Sequence, residues 1–289
     1  MAKLTVALAT FNEEKNIGPC LESVKSIADE IVIVDGSSTD NTVEIAKRYG
    51  AKVKVTDNPP IFHINKQKAL EMVSHEWILQ LDADERVSRE LGQEIRSIIA
   101  MSSDKLEKYQ ETLPDKQLFL RHQRLLEERD GQIGTKSGSY AAFFVPRLNY
   151  FLGKYLRYGG VYPDGVIRLV KKGHAHFPCK DVHEQITVNG RVGWLQHDLL
   201  HMADPTFSRY IKRNKRYIDL LASQLYDAKA GKDPMTAMQY LLVKPIGWFL
   251  STQIRHKGVL DGYQGIVFSF FSALRFPRAY IKYLSSKKK

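Results

Sequence analysis

The fold is constrained most by one short segment, Trp77–Glu85. Its first five residues, Trp-Ile-Leu-Gln-Leu, form the apolar run that is typical of a strand buried on both faces. Asp82 and Asp84 follow at the carboxyl end, which is where open α/β sheets place their ligands. One carboxylate could contact a sugar hydroxyl and the other a divalent cation. Taken alone, the pair could equally be a polar cap between a strand and its loop.

The first hundred residues alternate strand and helix patterns, which predicts a parallel sheet with helical crossovers. The predicted strands are Leu4–Thr10, Ile31–Asp35, Lys52–Thr56 and Trp77–Leu81. The predicted helices are Asn16–Ile27, a helix from Asn41 to Tyr49, Asn65–Val73 and Glu90–Ala100. Asn41 and Glu44 have the spacing of a capping pair.

The rest of the chain is less regular. Residues 101–140 predict helix or partly ordered loop, and further strands are predicted at Tyr140–Pro146 and Val166–Val170. Asn189-Gly190 separates two short strand patterns, Gln185–Val188 and Arg191–Trp194, which predicts a hairpin. Helical patterns dominate from Pro205 onward. We therefore expect a catalytic domain over 1–204 and a helical extension over 205–289.

Composition limits the class of protein. The 289 residues are 43% hydrophobic, which is enough for a substantial core. Cys20 and Cys179 lie far apart without metal-ligand spacing, which indicates a reducing compartment. The amino terminus is too short in apolar length and too poorly flanked for a signal peptide, and no window is long enough to span a membrane. We expect a protein that is soluble or lies on a membrane surface.

The excess of positive over negative charge lies entirely in the C-terminal part of the chain. Residues 205–289 contain 16 Lys and Arg against four Asp, a net charge of +12, whereas residues 1–204 carry −1. Nucleic-acid binding, helices packed on the catalytic domain and an interfacial helix pair on an anionic membrane could each explain this. We favour the membrane and expect no nucleic-acid partner. The predicted lipid-facing aromatics are Trp248, Phe249, Phe268, Phe270, Phe271 and Phe276, and the predicted headgroup contacts are Arg255, Lys257, Arg275, Arg278, Lys282 and Lys287–Lys289.

Three polar loop tips follow predicted parallel strands, namely Thr10–Glu13, Asp35–Ser38 and Asp82–Asp84. Because the carboxyl ends of parallel strands share one edge of a sheet, these tips should converge. Asp35 could accept hydrogen bonds from a base or ribose, and Asp84 could hold Mg²⁺ or Mn²⁺ against a pyrophosphate. Each tip alone could be a turn, but together they favour a nucleotide site.

Two common phosphate-binding motifs are missing. The sequence contains neither Gly-x-Gly-x-x-Gly after the first strand nor Gly-x-x-x-x-Gly-Lys-Ser/Thr anywhere. This argues against a dinucleotide-dependent oxidoreductase and a P-loop phosphotransferase. Without a glycine cradle, a metal must neutralise the diphosphate.

At these separations the three tips resemble those of the inverting glycosyltransferases of family 2, which have the GT-A fold. The resemblance implies a mixed α/β sheet with helices on both faces, here followed by a helical C-terminal extension. Later segments resemble the bacterial lipopolysaccharide core glucosyltransferase-like branch: Gly159–Asp164, Arg168-Leu169, Val182–Glu184, Leu200-His201, Asn214–Tyr217 and Lys257–Gly262.

The resemblance also implies roles for individual residues. The implied donor contacts are Thr10, Asn12, Glu13, Asp35, Ser37, Lys66, Asp82, Gly159 and Gly160, and the implied ligands of Mg²⁺ or Mn²⁺ are Asp84, Asp82 and His201. Relatives often carry Gln-Lys-Asn where this chain has Asn65-Lys66-Gln67. Lys66 keeps the cation but Gln67 replaces the expected amide, so Lys66 could instead lie at a solvated helix N-terminus.

Glu184 occupies the place of the family's acidic catalytic base, and Asp181 is the close alternative. An inverting displacement needs one carboxylate opposite the leaving nucleotide, which favours an acidic base. His183 could be the base or a structural histidine.

The implied activity is transfer of a hexose from a UDP-linked donor to a glycan or lipid-linked glycan, as in lipopolysaccharide or cell-surface polysaccharide synthesis. The expected location is the cytoplasmic face of the inner membrane. A nucleotidyltransferase and a non-catalytic membrane adaptor that binds nucleotide-sugar are the alternatives.

Overall fold

The chain forms two compact units. The computed structural model describes residues 2–180 and 185–285. The first unit comprises Met1–Arg147 and Pro163–His201, and the second comprises Leu148–Tyr162 and Met202–Lys289. The C-terminal unit thus includes a segment from the middle of the chain in addition to the helical part expected from 205 onward.

The amino-terminal half of the first unit is built on four parallel strands. They are β1 (Leu4–Thr10), β2 (Glu30–Asp35), β3 (Lys52–Val55) and β4 (Trp77–Leu81), in the order β3-β2-β1-β4. The helices are α1 (Glu14–Val24), α2 (Thr42–Arg48), α3 (His63–Met72) and, after the short β5 (Glu85–Val87), α4 (Arg89–Ala100). The predicted parallel sheet is confirmed, with ends that differ by a few residues.

Antiparallel strands extend this sheet beyond β4. The remaining strands are β6 (Tyr140–Phe151), β7 (Lys154–Leu156), β8 (Asp164–Lys171), β9 (Ala175–His176), β10 (Thr187–Val188), β11 (Arg191–Trp194) and β12 (Leu199–Asp204). From β4 the order continues β8-β6-β12-β5, and β7 and β11 pair with β6. The region 101–140 contains two helices, α5 (Ser103–Glu111) and α6 (Lys116–Asp130).

The predicted hairpin at Asn189-Gly190 is wrong. Strand β10 pairs antiparallel with β9, while β11 pairs parallel with β6. The Asn189 N–H donates to His174 O at 2.7 Å, whereas the Arg191 N–H donates to Ser139 O at 3.0 Å. Gly190 has φ 138° and passes so close to Ala141 that an added Cβ would lie 2.5 Å from the Ala141 Cβ. The dipeptide is therefore a crossing point between two sheets.

Apolar side chains cover both faces of the central strands. On one face, Leu4, Val6 and Leu8 of β1 pack in a buried cluster with α1 and α4. On the other, Ala7 of the same strand packs in a cluster that includes Ala69 of α3 and Phe119 of α6. Alternate residues of a strand point to opposite faces, so β1 anchors helices on both sides. This confirms the predicted α/β architecture.

The second unit is mainly helical. Its helices are α7 (Phe207–Asp227), α8 (Pro234–Met238), α9 (Lys244–Leu250), α10 (Tyr263–Ala273) and α11 (Arg275–Ser285), with π-helical segments at Gln239–Val243 and Ser251–Arg255 and a 3₁₀ turn at Gly258–Asp261. Helices α7 and α11 share a buried cluster that includes Leu225 and Tyr280. Tyr210 packs in another cluster, against Phe268 and Phe271. Within the described residues, no helix combines the length and apolarity needed to cross a bilayer.

Candidate active site

The carboxyl ends of β1 and β2 are joined through side chains. Thr10 and Asp35 are paired in the parallel register of these strands. The Thr10 hydroxyl donates to Asp35 Oδ2 at 2.7 Å, and Asp35 is fully buried. A buried carboxylate needs such partners, because an unpaired charge in the interior is costly. Thr10 and Asp35, both predicted to contact the nucleoside, are therefore adjacent.

Asp35 also shapes the loop that follows it. Its Oδ1 accepts from the Ser38 N–H and its Oδ2 from the Ser38 hydroxyl, both at 2.7 Å. Ser37 has φ 63°, and its hydroxyl donates to Thr56 O at 2.9 Å. A carboxylate has about four acceptor positions, so three bonds leave one for a further donor. The loop is preorganised around Asp35.

Asn12 and Glu13 link the first loop to the second. The Asn12 N–H donates to the Ser38 hydroxyl at 2.8 Å, and Asn12 Oδ1 accepts from the Thr39 N–H at 2.8 Å. The Glu13 N–H donates to Thr42 Oγ1 at 2.7 Å. The two tips thus form one surface, as expected from parallel neighbours.

The predicted cap of α2 is wrong in detail. Asn41 makes no side-chain cap, and its Nδ2 donates to Glu14 instead, at 3.2 Å. Asp40 takes the capping role, since its Oδ1 accepts from the Thr42 N–H at 3.0 Å. The cap therefore lies one residue earlier than the spacing of Asn41 and Glu44 indicated.

Asp82 lies between two cations. Its Oδ1 is 2.5 Å from Lys66 Nζ, and its Oδ2 is 2.6 Å from Arg168 Nη2. Burial alone would raise the pKa of Asp82, but Arg168 and Lys66 outweigh burial and hold the pKa well below its usual range. Lys66 is only 7% exposed, which rules out the solvated helix N-terminus. Asp82 is therefore held as a carboxylate with both oxygens engaged.

A buried network behind Asp82 was missed by the sequence analysis. Glu85 is fully buried; it accepts from the Asp82 N–H at 2.9 Å, from Arg168 at 2.7 Å and from Arg147 at 3.3 Å. Arg168 also donates to Gln80 within β4. Gln80 could have indicated this network from the sequence, because a polar residue inside a buried strand requires a hydrogen-bond partner.

Asp84 and His201 form a second pair. Strand β12 pairs antiparallel with β5 and sets His201 opposite Glu85. This brings His201 Nε2 within 3.5 Å of Asp84 Oδ2, with both side chains partly exposed. Two of the three predicted metal ligands are thereby brought together, while Asp82 faces Lys66 and Arg168.

The Asp84–His201 pair has donor atoms suited to a divalent cation. Across residues 2–180 and 185–285, no group of three or more His, Cys, Asp or Glu side chains could hold a metal. Mg²⁺ in nucleotide enzymes is commonly bound by one or two carboxylates, with substrate phosphates and waters completing the shell. Carboxylate oxygen also suits Mn²⁺, and imidazole adds a nitrogen ligand. The donor set is compatible with a metal that arrives with a diphosphate.

Other predicted residues lie elsewhere. Asp181, His183 and Glu184, the candidates for the base, fall outside the described residues. Gly159 and Gly160 belong to the second unit, where both have positive φ and the Gly159 N–H donates to His256 O at 2.8 Å. Their assignment to the donor sugar remains a prediction.

Comparison with known families concerns the amino-terminal part of the chain. Residues 5–145 match the family model described as glycosyl transferase family 2. These residues have the sequence signature of a family 2 glycosyltransferase domain. This confirms the family expected from the three loop tips, all of which lie inside the family 2 domain.

Individual relatives agree with that family. Over 290 aligned residues, 94% of this chain and 91% of the relative, the chain is 28% identical to the lipopolysaccharide core biosynthesis glycosyltransferase LpsC of Rhizobium meliloti. Over 101 residues it is 44% identical to the uncharacterized glycosyltransferase RT0209 of Rickettsia typhi, covering 34% of that protein. The match thus spans about a third of the length of this relative.

Similarity to solved structures is more local. Glucosyl-3-phosphoglycerate synthase from Mycobacterium tuberculosis aligns with 29% of this chain and 34% of its own, at 24% identity and a TM-score of 0.27.

Proposed function

We propose that the chain is a metal-dependent, inverting glycosyltransferase that moves a hexose from a UDP-linked donor to a glycan or lipid-linked glycan. One observation carries the proposal: Asp84, which follows the buried strand β4 of the family 2 domain, lies 3.5 Å from His201 of β12. The joined tips of β1 and β2, two strands that end at the same edge of the sheet, supply the nucleoside side of the site. The cation would be Mg²⁺ or Mn²⁺.

Each side chain has a distinct task in this proposal. Asp84 and His201 would hold the cation, which supplies charge neutralisation for the departing diphosphate. Asp82, kept ionised by Lys66 and Arg168, would accept a hydrogen bond from a hydroxyl of the donor. Thr10, Asn12, Glu13, Asp35 and Ser37 would bind the nucleoside. Charges fixed before the reaction cost no reorganisation when the transition state forms.

The acceptor class rests on the relative that aligns over nearly the whole chain. That relative is named a lipopolysaccharide core biosynthesis glycosyltransferase. We propose an acceptor of the same kind, a lipid-anchored glycan reached from the cytoplasmic face of the inner membrane. The chain would be peripheral there.

Donor turnover is the direct test. Purified protein is incubated with UDP-glucose, UDP-galactose, UDP-N-acetylglucosamine or GDP-mannose, with Mn²⁺ or with EDTA, and nucleotide release is measured. We expect UDP release from one UDP-sugar only with metal. No release from any donor would contradict the proposal, and pyrophosphate release from a nucleoside triphosphate would establish a nucleotidyltransferase instead.

The base is tested by conservative substitution. Glu184→Gln removes the carboxylate but keeps the side-chain size, so we expect donor binding to persist while transfer falls at least about a hundredfold. Asp181→Asn is the matched variant and should retain most activity. The reverse pattern would move the base to Asp181.

A further inference from the structure

The helical segment 234–255 exposes an apolar side chain at every fourth position. The row consists of Met238, Leu242, Ile246, Leu250 and Ile254. Each is about half exposed or more, up to 73% for Ile254. Large aliphatic residues at this exposure, repeated along one segment, form an apolar patch that needs an explanation.

Two π-helical segments keep this row on one side. In a regular α-helix a four-residue step advances about 40° beyond a full turn, so four steps would drift about 160° around the axis. The π-helical segments Gln239–Val243 and Ser251–Arg255 have wider turns, which reduces the drift. Met238 and Ile254 therefore lie closer to one side of the segment than a continuous α-helix would place them.

A second apolar row runs along the 3₁₀ turn Gly258–Asp261 and the helix α10 that follows it. It consists of Val259, Leu260, Tyr263, Ile266 and Phe270, all exposed. Gln253 fastens the two segments from the inside, where its Nε2 donates to Gly265 O at 3.1 Å and to Ser269 Oγ at 2.6 Å. We refer to the two rows together as the apolar face.

The apolar face carries positive but no negative side chains. Arg255 and Lys257 are exposed between the two rows. Within 234–285 the sole acidic residue is Asp261, which is 3% exposed and accepts from the Arg157 and Tyr158 N–H groups. The two rows themselves therefore present no carboxylate to an anionic surface.

We propose that the apolar face docks on an anionic lipid bilayer. The helices lie in the interface plane, with aliphatic side chains at the acyl boundary and Arg255 and Lys257 against lipid phosphates. This docking rests on the proposed function, because a lipid-anchored acceptor would be presented at the bilayer surface. It also corrects the aromatic set predicted from sequence, since Phe268 and Phe271 pack inside the second unit.

Vesicle flotation tests the aliphatic contribution. The full chain is mixed with phosphatidylcholine vesicles or with equimolar phosphatidylcholine and phosphatidylglycerol vesicles. We expect wild type to float with the anionic vesicles and the double variant Ile246→Asp, Ile254→Asp to bind at least about tenfold more weakly. Leu125→Asp is the matched control, because Leu125 is 56% exposed on α6 of the first unit.

The charge contribution is tested separately. Arg255→Ala with Lys257→Ala should lower binding to anionic vesicles about tenfold and flatten its salt dependence. Arg121→Ala with Arg124→Ala removes two exposed cations from α6 and should leave binding unchanged. An equal loss of vesicle binding in the two double variants would show that only net charge matters, and it would overturn the assignment of the apolar face.

Two further results would also overturn it. First, the Ile246→Asp, Ile254→Asp variant could float at the wild-type level. Second, sedimentation without vesicles could show that wild type is a dimer and that this variant is a monomer. A second copy of the chain would then cover the apolar face. UDP release without vesicles, measured on the same preparations, separates the two proposals: turnover without vesicle binding removes only the docking surface, whereas vesicle binding without turnover removes only the enzymatic proposal.

Discussion

Two aspartates two positions apart have different surroundings. Asp82 is enclosed by Lys66 and Arg168, while Asp84 lies beside His201. The sequence assigned the metal to Asp84 and a donor contact to Asp82, but it could not predict the partners of either carboxylate, because those partners come from α3, β8 and β12. Because Lys66 and Arg168 already engage both oxygens of Asp82, we expect the metal at Asp84, where the neighbouring imidazole of His201 adds a nitrogen donor.

Loss of the Asp84–His201 pair should abolish transfer. Asp84→Asn and His201→Ala each remove a proposed cation contact, and we expect UDP release to fall at least about a hundredfold, since metal stabilisation is worth several kcal/mol. Asp104→Asn, at an exposed position on α5, is the control. If the Asp84→Asn variant released UDP at the wild-type rate, Asp84 would be excluded as a metal ligand.

Arg168 should contribute strongly to stability. Arg168→Met leaves Asp82 and Glu85 without their shared cation, and breaking a buried ion pair costs about 3 kcal/mol or more in the free energy of unfolding. Arg129 pairs with Asp130 at the surface, so Arg129→Met should cost less than about 1 kcal/mol. Urea unfolding measures both, and equal losses would contradict a structural role for the network.

At the scale of elements, the sequence predicted β1, β2 and β4 because each is a short apolar run followed by a polar tip, and it predicted β3 from the alternation of Lys and Val. Lys52–Val55 and Trp77–Leu81 lie within a residue of their predicted bounds. The pairing of β10 and β11 could not be predicted, since their partners β9 and β6 are chosen by long-range packing. His201 reached the site by the same kind of distant pairing, so its resemblance to a family residue was the only sequence signal.

Glu30 should make the stability of the parallel strands depend on pH. Burial would raise its pKa, but hydrogen bonds from Lys52, Ser74 and Thr5 lower the pKa to about 2. A carboxyl whose folded pKa lies below the unfolded value stabilises above the unfolded pKa and loses that contribution as pH falls through the folded one. Glu30 thus ties the amino end of β2 to three other segments.

Glu30→Gln should therefore lower the free energy of unfolding by about 2 kcal/mol at pH 7, a value discounted for the exposed Lys52 partner. The difference from wild type should shrink below about pH 4.5 and vanish near pH 2. Urea midpoints between pH 2 and pH 7 measure it. A difference that is independent of pH would show that the carboxylate charge is not involved.

At the scale of the whole molecule, the described candidate site residues other than Gly159 and Gly160 lie in the first unit, and the excess of positive charge lies in the C-terminal region. Donor binding should therefore stabilise the folded chain through the first unit. A donor present at a hundred times its Kd adds about 2.7 kcal/mol to the free energy of unfolding.

Removal of metal should cancel this stabilisation. We expect a thermal shift with the preferred UDP-sugar and Mn²⁺, little shift with EDTA, and little shift for Asp84→Asn under either condition. The apolar-face variant Ile246→Asp, Ile254→Asp should shift like wild type. An equal shift in EDTA would mean that the donor binds without the cation.

The pairing of β5 with β12 has a consequence for synthesis on the ribosome. Glu85 emerges more than a hundred residues before its partner His201. At about 5–20 residues per second, the interval is on the order of ten seconds. The parallel strands β1 to β4 can associate during that time, whereas Asp84 cannot pair with His201 until His201 has been synthesised. If the proposed function holds, a nascent chain should thus form the loop tips proposed to bind the nucleoside first, and the proposed cation site only after translation has passed residue 201.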